Sequence, residues 1–179
     1  MKQIESSYKP VLIKILLANA ALLASVGLSV GIGQKSASAQ AAYGSYIGVG
    51  PAFGITEGNR DEDDRKVAGV IAGRYKFLKA PISARAQAFV GNGVTLVPTV
   101  SYDYPLNWQT DVYLGAGASI PIGGNTILGS KTSFALQPGI DYTLPNSNLV
   151  VFGNAVISVG GYKNGGAATS LQGGVGLRF

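Results

Sequence analysis

Residues 169–179 read Thr-Ser-Leu-Gln-Gly-Gly-Val-Gly-Leu-Arg-Phe, and their alternation decides the fold class. In an extended strand, successive side chains point to opposite faces. Thr169, Leu171, Gly173, Val175, Leu177 and Phe179 therefore share one face, and Ser170, Gln172, Gly174, Gly176 and Arg178 share the other. One face is oily and the other is small or polar. An amphipathic helix would instead repeat its apolar residues every three or four positions, which this stretch does not do.

The same parity recurs upstream. Ile47, Val49, Pro51, Phe53 and Ile55 oppose Tyr46, Gly48, Gly50, Ala52 and Gly54. Val112, Leu114, Ala116, Ala118 and Ile120 oppose Asp111, Tyr113, Gly115, Gly117 and Ser119. Between such runs stand clusters of Gly, Pro, Asn and Asp, the residues that punctuate strands. The pattern predicts eight strands near 43–55, 65–77, 81–90, 94–104, 108–120, 131–143, 148–161 and 168–179. Each is near the nine to eleven residues, roughly, that a tilted strand needs to cross a bilayer, and longer than the roughly five or six of ordinary strands.

Within these strands Lys66, Arg74, Lys76, Arg85, Asp103, Asp111, Lys131, Asp141 and Arg178 all fall on the polar face. Alternation alone leaves two barrels open, because a soluble lipocalin-like barrel has the same period with an apolar interior. The charge content separates them. Only 13% of residues are charged, against 46% hydrophobic, about half the charge of an average soluble domain. Gly, Ala, Ser and Thr on the polar face suit the narrow axis of an eight-stranded barrel, where side chains converge. The predicted arrangement is polar inside and oily outside, with the nine charged residues forming a lumen network. A charge facing lipid at mid-height would cost roughly 2–4 kcal/mol.

An even strand count puts both ends of the barrel wall on one side. Strand ends on that side carry Tyr43, Tyr75, Phe77, Tyr102, Tyr104, Trp108, Tyr142 and Phe179, a predicted aromatic girdle at the headgroup level. Phe53 and Tyr162 are the candidates for the opposite rim. Tight links around Lys79-Ala80-Pro81, Pro105-Leu106-Asn107 and Leu144-Pro145-Asn146 fall on the girdle side. The other side has 56–64, Gly91-Asn92-Gly93, 121–130 and 163–167. Asn92-Gly93 is expected to supply the positive φ of a tight hairpin.

The first 39 residues differ in kind. Lys2, Lys9 and Lys14 precede an apolar run over 15–28, and small residues end in Ala37-Ser38-Ala39. This is the anatomy of an export signal, with signal peptidase cleavage expected after Ala39 and the barrel over 40–179. Removing it takes away Lys2, Lys9, Lys14, Lys35 and Glu5, which leaves ten of 14 basic and eight of nine acidic residues, so the net charge falls from +5 to +2. No basic stripe interleaved with aromatics remains, so no nucleic-acid partner is expected.

The chain has no Cys and no His. Disulfide scaffolds, thiolate or imidazole metal centres and Ser-His or Cys-His catalytic pairs are thereby excluded, and no cofactor is expected. Residues 57–64, EGNRDEDD, concentrate carboxylates that could bind calcium weakly, but the spacing is not that of an EF-hand. A solvated acidic loop has the same composition. The interior Arg and Asp residues could form a structural salt-bridge plug, an ion constriction or a proton path.

An export signal, eight alternating strands and a closing Gly-Leu-Arg-Phe together resemble the small outer-membrane β-barrels of Gram-negative and related bacteria, the OmpA-like, OmpX-like and opacity-type porin-family proteins. The resemblance covers essentially all of 40–179. It implies an all-β, eight-stranded antiparallel transmembrane β-barrel preceded by a cleavable signal helix, embedded in outer-membrane lipid. It also implies that the outer-membrane assembly machinery reads Phe179, Leu177, Val175 and, more weakly, Leu171. The implied role is structural or surface-exposed and non-catalytic, with any surface ligand undefined. A narrow ion or small-solute channel and a secreted soluble binding barrel are the alternatives. Lipid-modifying and protease barrels generally use His with Ser or a carboxylate, which this chain lacks.

Overall fold

The computed structural model describes residues 44–56, 67–123, 126–162 and 165–179. The segment 1–39 with its expected cleavage site, Tyr43, the acidic stretch 57–64 and Lys66 lie outside the described residues. Eight strands follow in order: β1 (Tyr46–Gly54), β2 (Val67–Lys76), β3 (Ile82–Val90), β4 (Val94–Pro105), β5 (Thr110–Ile122), β6 (Ser133–Thr143), β7 (Leu149–Val159) and β8 (Ala167–Arg178). Each pairs antiparallel with its chain neighbours, and β1 closes on β8 to complete a barrel. Closure leaves no strand edge unpaired.

The register puts the predicted faces where alternation requires. Val49 on β1 lies between Ile71 on β2 and Val175 on β8, and all three point outward and are exposed. Leu114 is 59% exposed and Val100 60%, while Arg74, Arg85, Asp103, Gln137 and Asp141 are buried inside. The apolar exterior continues around the wall through Phe53, Val67, Val90, Phe134, Ile140, Val151, Val159, Leu171 and Leu177. This is the inverse of a water-soluble barrel, and its apolar surface far exceeds the isolated patches of soluble monomers.

Three prolines mark breaks in the ladder. Pro51, Pro98 and Pro138 pair normally on one side, with Gly69, Ala86 and Leu114. On the other side the register skips them, between Val49 and Ala52 in β1–β8, Leu96 and Thr99 in β4–β5, and Leu136 and Gly139 in β6–β7. Proline has no N–H to give to that ladder. At two of the breaks, glycine lets the backbones close in. A methyl group on Gly117 would overlap the Pro98 carbonyl oxygen, and one on Gly50 would overlap that of Gly173.

Small residues do not fill the interior alone. Tyr46, Phe89, Tyr113 and Phe152 are also buried there, each on the lumen-facing parity of its strand. Glycines provide the notches for three of them. A Cβ on Gly48 would stand 2.7 Å from the Phe152 ring, one on Gly176 would stand 2.9 Å from the Tyr46 ring, and one on Gly139 would collide with Tyr113. Glycine in a strand carries a cost in conformational entropy, offset here by the aromatic packing it permits.

One turn expectation is corrected. Neither Asn92 nor Gly93 has a positive φ; among non-glycine described residues that conformation belongs to Asn146, at 56°, in the β6–β7 link. Three residues separate Val90 from Val94, so the β3–β4 connection is longer than the two-residue turn that demands positive φ.

Candidate functional site

The lumen has three layers, set by which residues each strand contributes to its inner face. At the end of the barrel carrying Tyr46 and Arg178 sits an ionic cluster. Arg74 Nη1 lies 2.9 Å from Asp141 Oδ2, and its Nη2 lies 2.8 Å from both Asp103 Oδ2 and Asp111 Oδ2. Arg85 Nη2 lies 2.9 Å from Asp141 Oδ2 and 3.3 Å from Asp103 Oδ1. Lys76 Nζ reaches Asp111 at 2.7 Å. Three cations and three carboxylates thus interlock, and the group is neutral as a whole.

Neutral donors complete it. Tyr46 donates its hydroxyl to Asp141 at 3.0 Å, Ser101 donates to Asp103 at 2.8 Å, and Ser83 also donates to Asp103. Arg74 Nε donates to Ser83 at 3.1 Å and Arg85 Nε to Ser101 at 2.9 Å. The Arg85 guanidinium carbon lies 3.3 Å from the centroid of the Tyr113 ring, a cation–π contact strengthened by exclusion of water. Buried charges persist only when paired and hydrogen-bonded to this degree. Carboxylates so engaged hold the walls together.

Above this cluster lies a belt of uncharged polar groups. Thr99 donates to Gln137 Oε1 at 2.5 Å, Ser170 donates to Gln172 Oε1 at 3.0 Å, and Gln172 Nε2 donates to Gln87 Oε1 at 3.3 Å and also to Asn154. Strands β3, β4, β6, β7 and β8 all contribute.

The third layer, at the far mouth, is mainly apolar, with Thr95, Ser119 and Ser158 buried beside it. Ala52, Ala68, Val70, Phe89, Val97, Ala135 and Ala168 are buried together with Ile127 and Leu128, and the last two come from the β5–β6 connection. The turn from Thr126 to Gly129 closes on itself through paired backbone hydrogen bonds of 3.1 and 3.0 Å. Thr95 on β4 donates to Thr126 Oγ1 at 2.6 Å, and Gly161 beyond β7 accepts the N–H groups of Ser130 and Lys131 at 2.9 and 3.0 Å. Within the 121–130 connection, the turn 126–129 therefore points inward.

Of the other residues anticipated in the lumen, Lys131 is corrected: β6 begins at Ser133, and Lys131 stands exposed ahead of it. Arg178 is half-buried at the rim, where its Nη2 donates to the Ser147 carbonyl at 2.9 Å. Tyr75, Phe77, Tyr102, Tyr104, Trp108 and Tyr142 are exposed around the ionic-cluster end of the barrel. Leu171, Val175, Leu177 and Phe179 point outward along β8, and Phe179 gives its N–H to Ser45 at 3.3 Å.

Sequence reasoning missed Tyr46 and Tyr113 as partners of the cluster. The signal was present: two phenols on the same strand parity as Arg74, Arg85 and the three aspartates. It also missed the inward turn, whose signal is the adjacent apolar pair Ile127-Leu128 inside a connection rather than a strand. Among the described residues no group of three or more metal-ligating side chains could hold a metal ion.

No protein-family model matches the sequence, and no curated protein matches it. Solved structures do share the fold. Ail, the attachment invasion locus protein of Yersinia pestis, aligns at a TM-score of 0.55 and 18% identity, covering 75% of this chain and 97% of that one. Neisserial surface protein A aligns at 0.51 and 17%, covering 76% and 97%. A de novo designed transmembrane β-barrel aligns at 0.51 and 13%, covering 76% and 96%.

Proposed function

We propose that this protein is an integral outer-membrane β-barrel with a structural or surface-exposed, non-catalytic role. The observation that carries the reading is the inversion of polarity: an apolar exterior with charges gathered inside. Such an exterior is stable when lipid is the solvent, since the closed ladder satisfies the backbone and the wall presents only apolar side chains. The fold shared with Ail and Neisserial surface protein A supports the same reading.

On this reading residues 1–39 direct export and are removed by signal peptidase after Ala39. The outer-membrane assembly machinery engages the outward face of β8 through Phe179, Leu177, Val175 and Leu171. The aromatic residues from Tyr75 to Tyr142 lie in the headgroup layer of one leaflet. The ionic cluster acts as internal bracing. It does not favour the channel alternative, because its ion pairs cross the lumen and the opposite mouth is filled by apolar side chains.

Membrane fractionation with a heat-modifiability gel tests the proposal. The protein is expected to resist extraction by urea or alkaline carbonate and to migrate differently before and after boiling. Recovery as a water-extractable monomer with a single gel mobility overturns it.

A further inference from the structure

The turn at residues 126–129 does something that bracing of the wall does not require. Its contacts reach both strands that flank the β5–β6 pair. On one side Thr126 takes the hydrogen bond from Thr95 on β4, and its methyl group packs against the β3–β4 link, where a Cβ on Gly93 would approach it to 3.0 Å. On the other side Gly129 and Leu128 press on Gly161, beyond β7. There a Cβ on Gly161 would stand 2.7 Å from the Leu128 carbonyl oxygen, and one on Gly129 would overlap the Gly161 carbonyl. Ile127 lines a common space with Ala68 on β2 and Phe89 on β3, and β2 faces β6 in a ring of eight strands, so the turn reaches across the mouth.

It also fills what it crosses. Leu128 is completely buried and Ile127 is 6% exposed, and the space left between Ile127, Phe89 and Ala68 is about 10 Å³. That is room for at most one water molecule. Beneath it Ser170, Gln172 and Gln87 form the polar belt, which water would enter if the mouth were open. The hydrogen bonds within the turn keep its shape, while those from Thr95 to Thr126 and from Ser130 and Lys131 to Gly161 attach it to the mouth.

We propose that the turn 126–129 is a latched stopper. It seals the polar interior of the barrel from the mouth opposite the ionic cluster, and it leaves as one unit when the latch is broken. The inference goes beyond the membrane reading and holds for the folded barrel in detergent, so the two fail independently.

The chain has no cysteine, so single introduced thiols report cleanly. Ser170→Cys places a thiol on the lumen face of β8, at a position that is fully buried. Thr132→Cys, exposed outside the stopper, is the accessible reference. Both are treated in the full folded barrel with a charged methanethiosulfonate reagent. In the parent background Ser170→Cys is expected to react at least about tenfold more slowly than Thr132→Cys, since modification then requires opening. Adding Ile127→Ser and Leu128→Ser is expected to speed the Ser170→Cys reaction by at least about tenfold while Thr132→Cys is unchanged. Equal rates at the two reporters in the parent overturn the proposal. So does a Ser170→Cys rate that does not rise in a stopper variant retaining the folded gel mobility. Should the double serine variant fail to fold, Leu128→Cys in the parent barrel decides the matter. Protection relative to Thr132→Cys sustains the stopper, and equal reaction overturns it.

Discussion

Arg74 on β2 and Asp141 on β6 stand on opposite walls of the barrel, and their side chains meet across the lumen at 2.9 Å. Arg85 on β3 reaches the same carboxylate oxygen at 2.9 Å. One acid therefore ties three strands together through the interior, where Tyr46 adds a fourth from β1.

Replacing Asp141 by Asn leaves two buried guanidinium groups short of one negative charge. The expected loss is about 3–5 kcal/mol, the cost of breaking a buried ion pair by removing one partner. Adding Arg85→Gln restores the charge balance and is expected to recover part of that loss. Urea unfolding in lipid vesicles, read by gel mobility, measures both.

The proline breaks predict unequal tolerance among glycines. Gly117→Ala forces a methyl group into the Pro98 carbonyl, so strands β4 and β5 must separate, at a cost of about 1–3 kcal/mol or more. Gly69→Ala, whose nearest neighbour would be the Val90 oxygen at 3.8 Å, is expected to be neutral within about 0.5 kcal/mol. Similar unfolding midpoints for the two variants would show that the close approach is not a constraint.

Ile71 points outward at the middle of β2 and pairs with Val49 and Ala88. Ile71→Lys is expected to destabilise the barrel in a bilayer by about 2–4 kcal/mol, the cost of a lipid-facing cation at mid-height. In a soluble barrel an exposed Ile→Lys change would be close to neutral. Comparison of parent and variant unfolding in vesicles separates the two environments.

Trp108 is the chain's single tryptophan, fully exposed between β4 and β5. With the ring in a headgroup layer, its emission should lie to the blue of that from the urea-unfolded chain and should be partly shielded from iodide. Emission at the fully aqueous position, freely quenched in vesicles, would remove Trp108 from the girdle.

Planar-bilayer recordings of the intact barrel are expected to show no conductance above background. Ion pairs block one end of the lumen and apolar packing the other, and an eight-stranded barrel leaves room for little beyond side chains. Discrete current steps would reinstate the channel reading.

Much of this architecture was legible in the primary structure because its cause is local. A strand's period of two assigns every side chain to a face without reference to any other strand, so β8 alone separates Leu171, Val175 and Leu177 from Ser170, Gln172 and Arg178. The placement of Arg74, Arg85, Asp103, Asp111 and Asp141 on the inner parity follows from the same rule, as does the exclusion of His- and Cys-based chemistry from composition. Lys131 fails that rule because it lies outside the strand.

Which inner residues meet is a different matter. Contacts across the lumen depend on barrel closure and on the stagger between strands, which are properties of all eight strands at once. Arg85 and Asp103 can be paired from neighbouring strands, but Arg74 and Asp141 are 67 residues apart and become partners only when β2 and β6 face each other. The notches that Gly48, Gly139 and Gly176 provide for aromatic rings arise in the same way. So does the stopper: alternation says nothing about a connection, and Ile127 and Leu128 turn inward because the closed wall presents them an apolar mouth. Sequence determined which face each residue occupies, because that depends on the pleat of one strand; tertiary structure alone decided the partners and the seal, because those depend on distances across a closed ring.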